Sequence, residues 1–139
     1  MATVELRFSA SPEHVRTARL VAAAVARRAG VDESALDELR LAVGEACSRA
    51  VGLHTSHGLT SPVRVTLTEA EKSFTIEVGD DAPSVVQVPH GKPAAEAAEE
   101  TDELGLAVIS GLVDDVEVIA DEHGGAIRMS WPTLDAAFS

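Results

Sequence analysis

The 139 residues fit one domain, and 45% hydrophobic content is enough to build a core. A single cysteine, Cys47, excludes an internal disulfide framework and a cysteine-based zinc site. No apolar run approaches the roughly 20 residues that span a bilayer, and eleven basic against twenty-three acidic residues, net charge −12, exclude direct binding to the phosphates of DNA.

The charge is uneven. Residues 1–68 carry eight Arg and seven acids, whereas residues 69–139 carry three basic residues (Lys72, Lys92, Arg128) and sixteen acids. Such a surface attracts a basic protein partner and accelerates encounter with it; its alternative role is to maintain solubility.

In chain order, Val4, Leu6 and Phe8 alternate with Thr3, Glu5 and Arg7, the period of a strand with one buried face. Met1 to Ser9 has no basic stretch leading into an apolar one, so no signal peptide is read and a cytoplasmic location is expected. Ser11, Pro12 and Glu13 form a helix start, with Ser as N-cap and Pro at the first helical position. The helix is expected over Pro12–Ala29, stopping at Gly30, with Val15, Leu20, Val21 and Val25 as its apolar positions. A second helix is predicted from about Asp32 to Leu53, with Leu36, Leu39, Val43, Cys47, Ala50 and Val51 on one stripe.

Val63, Val65 and Leu67, then Phe74, Ile76 and Val78, alternate on either side of a turn near Glu71 and Lys72, which predicts a hairpin. From about residue 80 to 102 the patterning fails, and a long loop of this kind reads as a lid or binding loop. Leu104–Val113 is a short apolar helix. Val116, Val118 and Ala120 form a strand, His123-Gly124-Gly125 a turn, and Ala126–Trp131 the last strand. The order β-α-α-β-β-loop-α-β-β predicts one α/β (α+β) domain over 1–139. It is a two-layer sandwich of a mostly antiparallel sheet with about three helices on one face. The five histidines fall at helix ends, loops and turns, without metal-ligand spacing.

Three short motifs stand out in this frame. Glu45-Ala46-Cys47-Ser48-Arg49-Ala50-Val51 lies on the second helix. Val78-Gly79-Asp80-Asp81-Ala82-Pro83 follows the third strand. Leu104-Gly105-Leu106 opens the third helix, followed by Ile109, Leu112 and Val116. Their order and setting resemble the ATP-binding domain of the GHKL (Bergerat) superfamily and, within it, the anti-sigma-factor serine kinases. The resemblance covers nearly the whole chain.

The resemblance implies roles residue by residue. Glu45 matches the family's catalytic Glu, which orients or deprotonates the attacking hydroxyl. Arg49 stands where the family has the Asn that holds magnesium; a guanidinium has donors only and cannot ligate a cation. Arg49 also lies one helical turn after Glu45, a spacing that favours an ion pair. Asp80 matches the Asp that accepts from the adenine amino group. Ala82, followed by Pro83, replaces the glycine that lets the chain turn beneath the base. Gly105 and Leu106 are kept from the phosphate-cradling Gly-x-Gly-Leu, but its first glycine is Glu103 and the residue between is Leu104.

Two functions follow from the resemblance. In the first, the chain binds and sequesters an alternative sigma factor and is antagonised by an anti-anti-sigma (STAS-type) partner, with ATP binding weakened or lost. In the second, it is a working serine kinase that uses ATP and magnesium to phosphorylate that antagonist. A homodimer is compatible with the family. A histidine kinase catalytic fragment is disfavoured, because no dimerisation helix bearing a phosphoacceptor His precedes the first strand.

Overall fold

A computed structural model of the chain describes residues 2–83 and 105–133. The elements are β1 (Ala2–Phe8), α1 (Pro12–Ala29), α2 (Glu33–Ser56), β2 (Val63–Glu69), β3 (Ser73–Asp80), α3 (residues 105–112), β4 (Asp115–Asp121) and β5 (Gly124–Pro132). The five strands form one sheet in the order β1-β2-β3-β5-β4, and every pairing is antiparallel. The expected α/β sandwich is therefore what the chain forms. The expected lid lies almost wholly outside the described residues, as do Glu103 and Leu104.

Alternation builds the sheet's two faces. Val63, Val65 and Leu67 of β2, Phe74, Ile76 and Val78 of β3, and Ile127, Met129 and Trp131 of β5 are all buried. They meet in register: Phe74 lies opposite Trp131, Ile76 opposite Met129, and Val78 opposite Ile127. The intervening positions, such as Thr66, Thr75, Glu77, Arg128 and Ser130, form the polar face. There Thr75 and Ser130 share a hydrogen bond of 3.0 Å, and Arg128 reaches Glu77 and Glu117 at 3.9 and 3.6 Å.

The helices cover the apolar face. On α2, Leu36, Leu39, Val43, Cys47, Ala50 and Val51 are buried as their spacing predicts. On α1 the buried stripe is Val15 with Ala18, Ala22 and Ala26; of the other apolar positions named, Val25 packs partly against the core and Leu20 is 54% exposed. Alanines let α1 lie close on its neighbours. Gly44 of α2 serves the same approach, since a Cβ there would collide with the stem of Arg19. Burying one large aliphatic or aromatic side chain contributes about 1.5–3 kcal/mol, so the stripe centred on Leu39 and the Phe74 row secure the two layers.

The helix ends follow local chemistry. Ser11 occupies the N-cap of α1, but its side chain makes no capping bond and its hydroxyl turns to Glu13 at 3.4 Å. Gly30 ends α1 in the left-handed region at φ 102°, its N–H returned to the carbonyls of Ala26 and Arg27. The second helix runs three residues past its expected end to Ser56, because the His54 ring is buried and holds the last turn in the core.

Cys47 is fully buried, and that burial pushes its thiol up to about 12, with Arg19 pulling weakly the other way. The native thiol therefore stays protonated throughout the neutral and mildly alkaline range. Native protein at pH 8 should resist a thiol-reactive disulfide reagent, and the modification rate should rise with denaturant in step with loss of the circular dichroism signal.

Candidate functional site

The central part of α2 lies against the end of β3, and the motif residues come together there. Glu45 and Arg49, one turn apart, share a helix face. Glu45 turns toward the start of α3, where a methyl at position 105 would lie 3.1 Å from Glu45 Oε1. Gly105 thus gives the carboxylate room, and it is itself buried. Leu106 is half-buried against the core.

Arg49 departs from the expectation of a pair with Glu45. Its Nη1 lies 3.8 Å from Oδ2 of Asp80 on β3, and both side chains are sequestered, 13% and 3% exposed. The i,i+4 spacing favours Glu45, but the buried carboxylate across the layer is the costlier charge to leave unmatched. Asp80 has a second commitment: its Oδ1 accepts the backbone N–H of Ala82 at 2.9 Å, closing an Asx turn. Ala82 is buried beneath that turn. Both carboxylate oxygens of Asp80, the residue expected to meet adenine, therefore already have partners within the chain.

The β4–β5 turn closes over the same place. Gly124 has φ +148°, and a Cβ there would lie 2.3 Å from the Asp80 carbonyl oxygen. Gly125 faces Asp80 across the ladder, with Oδ2 3.3 Å from where its Cβ would be. Only glycine at 124 allows the hairpin to approach so closely.

A second cluster adjoins the first, and the spacing of motifs did not reveal it. His54 is fully buried. Its Nδ1 lies 3.0 Å from the Ser61 carbonyl, and its Nε2 accepts the Asp81 backbone N–H at 2.9 Å. These roles fix the neutral tautomer protonated on Nδ1. The ring thus ties the end of α2 and the loop after it to the chain leaving β3. Beside it, Arg64 Nη1 donates to Asp81 Oδ1 at 2.7 Å. Hydrogen bonds from Arg64, and then Ser61, hold the Asp81 carboxyl below its ordinary value, with burial opposing. The buried register of His54, one turn past Ala50 on the apolar stripe, was the available sequence signal.

Between the two long helices, Arg16, Arg19 and Leu20 of α1 and Asp37, Arg40 and Leu41 of α2 line an open groove of about 390 Å³. Leu20 and Leu41 are 54% and 56% exposed. Aliphatic side chains ringed by guanidinium groups suit a protein contact better than a small ligand. Among the described residues, no helix is long and apolar enough to cross a membrane.

Comparison with known proteins places these features in context. Residues 8–131 match the family model described as a histidine kinase-like ATPase domain. A serine-protein kinase RsbW from Oceanobacillus iheyensis is 29% identical over 134 residues, covering 91% of this chain and 84% of that protein. A serine-protein kinase RsbW from Bacillus thuringiensis is 27% identical, covering 86% and 78%. Among solved structures, the RsbU and RsbW domains of Rv1364c from Mycobacterium tuberculosis superpose with a TM-score of 0.67 at 17% identity. That alignment covers 96% of this chain and 33% of the larger one, and it shows a shared fold.

Two stability measurements test the site. Arg49→Met should cost about 3 kcal/mol, because it strands the Asp80 carboxylate, and Asp80→Asn in the same background should recover part of that loss. A double-mutant cycle from denaturant melts reads the coupling. Asp81→Asn should cost about 1 kcal/mol at neutral pH. Because the folded carboxyl is depressed, its contribution is full above the unfolded value of about 4 and disappears as pH falls through the folded value. The wild-type and variant melts should converge in acid.

Proposed function

The chain belongs to the histidine kinase-like ATPase domain family, and from that membership we propose that it is an anti-sigma regulatory factor whose nucleotide binding is weakened or lost. It binds and sequesters an alternative sigma factor and is released by an anti-anti-sigma protein of the STAS type. The observation that carries this reading is the buried contact of Arg49 with Asp80.

The chemistry of the donor set supports it. A magnesium ion needs oxygen ligands, and Arg49 supplies only donors where the family has an amide. Adenine needs a carboxylate free to accept, whereas Asp80 already meets Arg49 and the Ala82 N–H. Exposing Asp80 to a base would require breaking a buried ion pair, which typically costs about 3–5 kcal/mol. Micromolar affinity amounts to about 8 kcal/mol, so that cost consumes roughly half of it. The residues present do not fit the nucleotide and its cation.

Protein surfaces remain for the function. The acidic residues of the second half favour a basic partner such as a sigma factor. The α1–α2 groove offers the opposite sign together with two exposed leucines, a surface suited to an acidic, apolar segment. A protein that exchanges partners gains from two surfaces of different charge.

The second reading, an active serine kinase, is favoured by one observation: Glu45 lies beside Gly105 at the start of α3, as an acid–base carboxylate near a phosphate cradle would. The 27–29% identity to proteins named as serine-protein kinases points the same way.

Calorimetric titration with magnesium-ATP separates the two. The regulatory reading predicts no saturable binding below millimolar concentration, while the combined Arg49→Asn, Ala82→Gly and Glu103→Gly variant gains measurable affinity. Tight binding by the wild type, with phosphoryl transfer to a STAS-type protein, would establish the kinase instead. For the groove, Leu20→Asp with Leu41→Asp should weaken capture of a sigma factor or its antagonist by about tenfold or more, with an unchanged melting temperature.

A further inference from the structure

The sheet ends on β4 in a row of backbone groups that nothing described covers. β4 pairs with β5 over all seven residues in unbroken register, from Asp115 opposite Ser130 to Asp121 opposite Gly124. On its other side it has no strand among the described residues. In an antiparallel pair, alternate residues of the edge strand turn their N–H and C=O away from the neighbour. Proteins ordinarily guard such a row with a proline, a lysine or a bulge. Asp115–Asp121 has none of the three.

The side chains set what this edge accepts. Val118 stands directly opposite Ile127 in the ladder. Ile127 is 1% exposed and Val118 is 47% exposed, so the helical layer stops at β5 and leaves this end of the apolar face open. Val108 of α3, the helix that leads into β4, is exposed as well. On the opposite face Asp115 and Glu117 are exposed, and residues 114–122 hold five acids and no lysine or arginine. Arg128 lies 3.6 Å from Glu117 but is divided with Glu77 at 3.9 Å, and Asp115 stands opposite a serine.

These acids discriminate between strands. A second copy of β4 laid antiparallel about Val118 would bring Asp115 opposite Asp121 twice, and like charges directly opposite destabilise a ladder. A strand with lysine or arginine at those positions gains from the same arrangement. Like charge thus guards the edge against its own kind and leaves it open to a basic strand. The β1 edge has no such preference, because Glu5 and Arg7 lie 3.5 Å apart on it and offset each other.

We propose that the free edge of β4 takes up an extended segment of a partner protein as a sixth strand, one in which lysine or arginine alternates with aliphatic residues. Its basic side chains face Asp115 and Glu117, and its aliphatic ones extend the apolar face beside Val116 and Val118. Backbone hydrogen bonds supply affinity, and the alternation supplies specificity. The choice of a basic partner rests on the partner-binding reading above. A strand can dock on this edge whether or not nucleotide binds, so magnesium-ATP titration and the test below fail separately.

The probe is a capped peptide of about nine alternating lysine and valine residues, titrated into the full chain and followed by hydrogen exchange with NMR detection. Saturable binding is expected, with slow exchange newly acquired by alternate amides of β4 and no change along β1. A peptide of the same composition with its lysines in one block should bind about tenfold more weakly. Asp115→Lys with Glu117→Lys should weaken binding of the alternating peptide by about tenfold or more, and this variant should take a glutamate-valine peptide instead. Asp115→Lys alone leaves the Glu117–Arg128 pair intact and carries the test if the double variant fails to fold by circular dichroism. The proposal is overturned by absence of binding, or by protection that appears outside β4. Equal binding of the block peptide also overturns it, since that is charge attraction without strand pairing. So do β4 amides that all exchange slowly in the free chain, since the edge is then occupied by the chain itself.

Discussion

The arrangement of this molecule turns on a charge that water does not reach. Asp80 ends β3 inside the domain, 2% exposed, and a carboxylate there must be matched or neutralised. Arg49 reaches it from α2, and the Ala82 N–H reaches it from the turn that follows. Three elements are fixed by this one requirement: the helix that supplies the guanidinium, the strand that supplies the acid, and the turn that leaves the strand. Gly124 then lets the β4–β5 hairpin lie directly against the Asp80 backbone. The resemblance of motifs implies that this location would receive a base and a metal-bound triphosphate in a nucleotide-binding relative. Here protein groups meet the acid's needs, and this substitution separates the proposed regulatory function from the kinase function.

The neighbouring tie through His54 has a related logic. The ring is neutral by construction, since one nitrogen must donate to Ser61 and the other must accept from Asp81. It and the Arg64–Asp81 pair hold the chain as it leaves β3. The exit from the strand is thus rigidly anchored on the helix side and the sheet side, immediately beside Asp80. Away from it, the surface divides by charge: guanidinium groups and exposed leucines lie on α1 and α2, and carboxylates lie on β4. On the proposed reading, that division would give a small domain more than one surface for protein partners.

Much of the architecture was legible because its signals are local. Alternation in Val63–Leu67 and Phe74–Val78, Pro12 at a helix start and Gly30 at its end each act within a few residues, and the structure follows them. The apolar positions of α1 did not by themselves show which side is buried, and Leu20 lies 54% exposed. Ala18, Ala22 and Ala26 are the buried residues, since close helix packing selects small side chains. The partner of Arg49 was misread for a different reason. Helical spacing makes Glu45 an obvious candidate, but the decisive term is the desolvation of Asp80, which lies 31 positions along the chain and becomes a neighbour only when the layers close. The role of His54 was hidden likewise, because both of its hydrogen-bond partners are backbone groups that sequence does not distinguish.

The most direct test is a crystal structure grown with magnesium and a non-hydrolysable ATP analogue at millimolar concentration. The account predicts that the Arg49 guanidinium remains beside the Asp80 carboxylate, with no ordered base against it. An adenine hydrogen-bonded to Asp80, with Arg49 displaced and a triphosphate seated between Glu45 and Gly105, would contradict it.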